Sequence, residues 1–168
     1  MYSRFLTAAA VISLTFLSPV QAQSQAAPDP GIVTAIDLPT MRNILTGYGH
    51  VVVEEQPEQN GLIVQAQNGF RYVVLLKRCH PPTACAGVLI GSIHDIPEGT
   101  TWQILNTVDS KVDLLGVYVM NDRLIFDRYI ALQGGLGLGQ LENEIATLMQ
   151  VAPTLVANIA QMASENTG

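Results

Sequence analysis

FRYVVLLKRCHPPTACAGVLIGSI, residues 70–93, decides the fold. Residues 70–79 are apolar at odd and even positions alike until Lys77, and residues 85–93 return with the same character. Between them lie a cysteine at each end and the stiff pair Pro81-Pro82. Two such runs joined by a short polar loop read as a long antiparallel hairpin. Strands apolar on both sides belong inside a fold, with helices packed against them or a partner subunit covering one side.

The flanking sequence supplies the rest of a sheet. Asn68-Gly69 between apolar runs signals a hairpin turn of the primed type, which makes residues 62–66 the preceding strand. Residues 51–53 (Val-Val-Val) form an earlier strand, separated by a polar connection holding Pro57 and Asn60-Gly61. Before it, Asp37 has the character of an N-cap, with Pro39 in the first turn. Leu38, Met41, Ile44, Leu45 and Tyr48 then follow at helical spacing until Gly47 and Gly49 end the helix.

On the far side, Pro97 and Glu98 open a short helix over residues 97–107. Residues 112–120 and 124–132 read as strands around a tight Asn121-Asp122 hairpin. A glycine-rich connection spans residues 134–139. Leu141, Ile145, Leu148, Ala152, Leu155 and Ile159 mark one face of a long last helix, which Pro153 is expected to kink near residue 152 or split. The fold class is α+β: an antiparallel sheet of about five to six strands with helices packed on it, in the order α-β-β-β-(β)-α-β-β-α.

The start of the chain has a different purpose. Arg4, an apolar run over residues 5–17, Pro19 and Val20-Gln21-Ala22 have the three-part layout of a secretory signal peptide, with the cut expected after Ala22. The run is short of the roughly 20 residues a membrane-spanning helix needs, although a retained anchor helix is the alternative. Residues 23–31, polar and rich in Ala and Pro, are expected as a flexible leader, residues 32–163 as one domain and residues 164–168 as a disordered tail. No membrane span is expected after signal removal. The expected location is the bacterial periplasm or outside the cell.

The 168 residues carry a formal charge of −6, and loss of residues 1–22 removes only Arg4, leaving 7 basic against 14 acidic residues, or −7. An acidic surface repels phosphate backbones, so no nucleic-acid partner is expected.

Cys79 and Cys85 are the only cysteines. Facing each other across an antiparallel pair, their Cα atoms fall about 4.5–5.5 Å apart, within disulfide range. An exported chain with two cysteines favours a structural disulfide. A redox pair or a metal site with His80 is the alternative. The spacing matches neither Cys-x-x-Cys nor a zinc set, and no cofactor or metal is expected.

Other candidates are weaker. Gly134-Gly135-Leu136-Gly137-Leu138-Gly139 precedes a helix but lacks the spacing and the Lys-Ser/Thr of a phosphate loop. Glu142 and Glu144 are read as first-turn acids answering the helix dipole. Ser92, His94 and Asp95 tempt a triad reading, but on a strand Asp95 points away, and His94 is read as facing solvent at a strand end. Asp109 and Asp113 straddle a helix-to-strand boundary. Asp122 and Asp127 are read as a solvated edge, with Arg123 and Arg128 in surface ion pairs. The small residues Ala146, Ala152, Ala157, Ala160 and Ala163 of the last helix allow a close neighbour, so the apolar surplus is either used internally or covered in a homodimer or partner groove.

Four landmarks resemble the YbjN domain family over residues 32–159: the helix-ending Gly47-Tyr48-Gly49, the Cys79/Cys85 pair at two strand ends, Trp102 with Asn106 in the middle helix, and Leu132-Gln133-Gly134-Gly135 before the last helix. The resemblance implies a fold similar to class I type III secretion chaperones, which commonly dimerise and hold peptide segments, and a sensory or stress-related regulatory role. Asp109-Ser110-Lys111-Val112-Asp113 stands where members often carry an Arg, and the last helix is less charged, so no specific partner transfers. The expected function is an exported, non-catalytic binding or chaperone-like module of the cell envelope that holds a protein or peptide. One alternative is a small-molecule sensor with a pocket lined by Phe70, Tyr72, Trp102 and Tyr118. The other is a hydrolytic or redox enzyme using Cys79, His80 or His94.

Overall fold

Asp37 starts the first helix as the sequence suggests: its carboxylate accepts from the Thr40 amide at 2.9 Å, and helix α1 runs Leu38–Gly47. It ends in a Schellman motif, with the Gly49 amide on the Thr46 carbonyl and the His50 amide on the Leu45 carbonyl. Gly49 sits at φ 79°, a conformation that favours glycine. This computed structural model describes residues 31–80, 84–113 and 115–166, so the expected signal segment and most of the leader lie outside the described residues.

Strand β1 (Ile32–Val33) precedes α1, and β2 (Val51–Gln56) follows it. A single 3-10 turn at Pro57–Gln59 leads to β3 (Gly61–Gln65), β4 (Arg71–His80) and β5 (Ala84–His94). Helix α2 (Trp102–Asp109), β6 (Gly116–Met120), β7 (Arg123–Ala131), β8 (Leu136–Gly137) and helix α3 (Leu138–Asn166) complete the order. Six strands form one antiparallel sheet in the order β2-β3-β4-β5-β7-β6, while β1 and β8 pair separately. The fold is α+β and follows the expected element order, with the two-residue strands β1 and β8 as unexpected additions.

Several details depart from expectation. The Asn68-Gly69 turn is not primed. Gly69 donates to the Ala66 carbonyl at 2.9 Å, and of the turn residues only Gly69, at φ 84°, has positive φ. That is a three-residue connection closed by a left-handed glycine. Asn121 and Asp122, at φ 52° and 57°, do form the expected two-residue primed turn. Helix α2 begins at Trp102 rather than Pro97, because Gly99 at φ 78° and the Thr100 amide on the Pro97 carbonyl first close a turn. Thr101 then caps the helix through the Ile104 amide. Strand β6 starts only at Gly116, because the amides of Lys111 and Val112 still bond back to Val108 and Asp109.

Helix α3 is not split at Pro153, and it runs to Asn166 where a disordered tail was expected. Pro153 removes one backbone donor, but Leu148, Ala152, Leu155, Ile159 and Ala163 are all buried and hold the axis on both sides of it. The stretch Leu138–Glu165 is long and apolar enough, by length and composition, to cross a membrane, a property not expected from the sequence. Its apolar stripe is packed into the core. The glycine-rich segment is no loose connection: β8 lies within it, and Leu136 is buried.

Helices α1, α2 and α3 all pack on the same side of the sheet. Met41 and Leu45 of α1, Ile104 and Val108 of α2, and the α3 stripe share one cluster with Leu62, Val64, Tyr72, Val74, Leu76, Val88, Ile90, Leu124, Phe126 and Ile130. Ile63, Val73, Leu75, Leu89, Ile93 and Ile125, at the alternate strand positions, take no part in that cluster and form the other face.

Candidate functional site

Strand register assembles the second face from residues far apart in sequence. Leu75 pairs with Leu89, and Leu89 with Tyr129. Ile63 pairs with Val73, Val73 with Gly91, and Gly91 with Asp127. Ile93 pairs with Ile125, and Ile125 with Tyr118. Paired residues share a face, so these rows make an apolar floor with Gln56 and Gln59 at one side and Tyr118 and Met120 at the other. The hollow over the floor holds about 440 Å³. Ile93 (49%), Met120 (52%), Tyr129 (41%) and Tyr118 (38%) are exposed there. Neighbouring apolar side chains open to water in one patch mark an interaction surface more often than isolated ones do.

Two polar devices shape this face. Tyr118 donates its hydroxyl to Asp127 Oδ2 at 2.6 Å, and Gly116 leaves room, since a Cβ there would meet Asp127 Oδ1 at 2.9 Å. Burial, reinforced by the Asp127 hydrogen bond and charge, pushes the Tyr118 hydroxyl up to about 12, so it stays a donor. Gly87 lies beneath the Tyr129 ring, and the Arg78 guanidinium sits 5.5 Å above that ring's centre. The expectation of a solvated edge therefore fails for Asp127, which is engaged within the sheet face.

The structure joins Cys79 to Cys85 as a disulfide at the end of the β4–β5 hairpin. Cys85 is buried, and its amide and carbonyl also pair with Ile36, which ties the segment before α1 to the sheet. Neither sulfur is available as a nucleophile in this state, and His80 is exposed beside them.

His94 does not simply face solvent. It lies on the helix-covered side, its Nε2 3.0 Å from Ser92 Oγ and its ring edge-on to Phe126 with centroids 5.4 Å apart. Burial, then the Arg123 charge, lowers its pKa. Ser92 is 1% exposed, and Asp95 is turned to Arg123 at 3.1 Å. The three residues meet in sequence but form no relay, because the carboxylate that would orient the imidazole points elsewhere. His50 is similar: Nδ1 lies 2.5 Å from the hydroxyl of buried Tyr72, and burial lowers its pKa.

Other expected residues are dispersed. Arg128 is not in a surface pair: it forks onto Glu144, Nε to Oε2 at 2.6 Å, binding β7 to α3. Glu144 is thus no first-turn acid, and the first turn of α3 holds none. Asp109 accepts from the Val117 amide at 3.1 Å, while Asp113 is exposed. The four aromatic residues of the sensor reading do not share a pocket. Phe70 and Tyr72 stack on the covered side, Tyr118 lies on the open side, and Trp102 is 66% exposed on α2 beside Ile96 and Val119. Among the described residues no group of three or more His, Cys, Asp and Glu side chains converges as a metal site would require.

The floor residues Val73, Leu75, Leu89, Ile93 and Ile125 were not recognised as a site from the sequence. The signal was present in the doubly apolar strands, which carry more apolar surface than helices on one side of the sheet can cover.

One antiparallel sheet with α1, α2 and α3 on one face defines an α+β fold, and among the described residues no helix covers the second face. YbjN from E. coli, described as a candidate transcription regulator, has a crystal structure similar to this chain: TM-score 0.56 and 12% identity, over 80% of this chain and 96% of that one. The chain has a YbjN-like fold. No family model matches the sequence. No curated protein matches it either.

Proposed function

We propose that this chain is a non-catalytic binding module that holds a protein or peptide partner on the free face of its sheet. One observation carries the reading: Ile63, Val73, Leu75, Leu89, Ile93, Ile125 and Met120 form a continuous apolar floor outside the core cluster. A face of this kind gains free energy by being covered, at about 25 cal/mol per Å² of apolar surface removed from water. The ionisable groups support the same reading. The cysteines are bonded to each other, and both half-buried histidines are engaged with a serine or a tyrosine. The module acts after export to the periplasm, in keeping with the signal-like residues 1–22.

Photo-cross-linking in the native cell tests the binding role. A benzophenone amino acid at Leu89 or Tyr118 is expected to trap a discrete protein partner, and one at Thr154, exposed on α3, is not. Equal, diffuse labelling from all three positions would reject the assignment. Export is checked separately by mass spectrometry of the envelope fraction, where the chain is expected to begin at Gln23. An intact chain recovered only from cytoplasm would reject that part.

A further inference from the structure

Strand β4 carries a cation at each end of its free side, although the chain as a whole is acidic. We infer that this face receives an amphipathic helix with carboxylates at both ends of its apolar side. The inference rests on the proposed binding role and specifies the partner's chemistry.

Strand β4 presents Arg71, Val73, Leu75 and Lys77 in alternation on its free side, so two exposed cations bracket the apolar floor. Six residues of extended strand separate them by about 20 Å. Arg78 adds a third cation at the Lys77 end, held over Tyr129. Beyond Met120, Arg123 is already paired with Asp95. The carboxylates of this side, Glu54, Asp127 and Asp113, keep their charge but lie on β2, on β7 and before β6, away from the two ends of β4; Asp127 accepts from Tyr118, and Glu54 from Gln56 at 3.2 Å. Yet the chain as a whole is −6. Cations placed at both ends of an apolar floor on an acidic protein select for carboxylates at matching positions.

A second copy is a poor occupant. Where two such faces stack β4 on β4, the cationic ends oppose each other, and like charges across an interface disfavour it. An extended peptide laid flat on the floor would bury its own N–H and C=O groups without partners. A helix satisfies its backbone internally and offers an apolar stripe to the sheet. At 1.5 Å per residue and 3.6 residues per turn, a helix spans the distance between Arg71 and Lys77 in about 14 residues, close to four turns, which keeps both end side chains on one face.

The test titrates the purified chain with labelled synthetic helices by fluorescence anisotropy. Three peptides share one leucine stripe and differ only in the two residues placed fourteen apart, about four turns, so that both lie on the stripe's side: Glu, Gln or Lys. The Glu peptide is expected to bind at least tenfold more tightly than the Lys peptide. The paired variant Arg71→Glu/Lys77→Glu, at two exposed positions, is expected to reverse that order. Leu89→Asp is expected to abolish all binding. Equal affinity for all three peptides, still abolished by Leu89→Asp, overturns the acidic-helix inference and leaves the binding role standing. Binding that Leu89→Asp does not affect, or no binding by any peptide, overturns the inference and removes its support from the face. A dimer in sedimentation that Leu89→Asp disperses overturns it in favour of a second copy.

Discussion

The Tyr118 hydroxyl donates to Asp127 Oδ2 at 2.6 Å across the β6–β7 hairpin, the one carboxylate of the central rows held beside an aromatic wall of the free face. The two residues are diagonal neighbours, since Tyr118 pairs with Ile125 and Asp127 with Gly116. Tyr118→Phe removes the donor and is expected to lower stability by about 1 kcal/mol, the net worth of one hydrogen bond, read from denaturant unfolding. The pH dependence has a definite sign. The Tyr118 hydroxyl is raised by burial and by Asp127, so its contribution is present below the ordinary tyrosine range and is lost as pH rises toward about 12. The phenylalanine variant is expected to lose less stability over that interval.

Neighbouring β5 residues serve opposite faces. Ile90 is fully buried in the core cluster, whereas Leu89 is only half-buried on the floor. Ile90→Ala is expected to cost about 3 kcal/mol of folding stability through lost burial and a cavity, and Leu89→Ala about 1 kcal/mol. Comparable losses at the two positions would show that the free face is covered within the chain.

Replacing the Cys79–Cys85 disulfide by two serines opens a ring of seven residues. The chain-entropy estimate for that ring is about 2.4 kcal/mol, to be read as the fall in unfolding free energy under oxidising conditions. Because Cys85 also pairs with Ile36, the segment before α1 is expected to loosen first, visible as faster hydrogen exchange at the Ile36 amide.

Both half-buried histidines predict acid sensitivity. Burial lowers the pKa of His94, with the Arg123 charge adding to it, and burial lowers that of His50 against the opposing pull of Glu142. For a base whose folded pKa is depressed, the unfolded chain takes up the proton first. Stability is therefore full above the ordinary histidine value of about 6.5 and falls as pH drops below it toward the depressed folded values. Melting curves at pH 7.5 and pH 5 are expected to show the loss, and His94→Gln to reduce it.

Much of the framework was legible because each element carried a local cause. Asp37 capped α1, Asn121-Asp122 turned β6 into β7, and the six-residue stripe of α3 faced the core. What local reading missed depended on neighbours distant in sequence. Arg128 looked like a surface cation until α3 brought Glu144 beside it. Pro153 looked like a break until packing on both sides held the helix. The free face itself was half visible. The doubly apolar strands announced more apolar surface than one side could use, but which alternation faced the helices became known only from the register of six strands.

Hydroxyl-radical footprinting of the free chain, read by mass spectrometry, tests the open face most directly, with buried Tyr72 as an internal reference. The account predicts rapid labelling of Tyr118, Met120 and Tyr129, little at Tyr72 and Phe126, and loss of labelling at the first three when the acidic helical peptide is added. Protection of Tyr118, Met120 and Tyr129 as complete as that of Tyr72 in a monomer would mean that the sheet has no free face, and would contradict it.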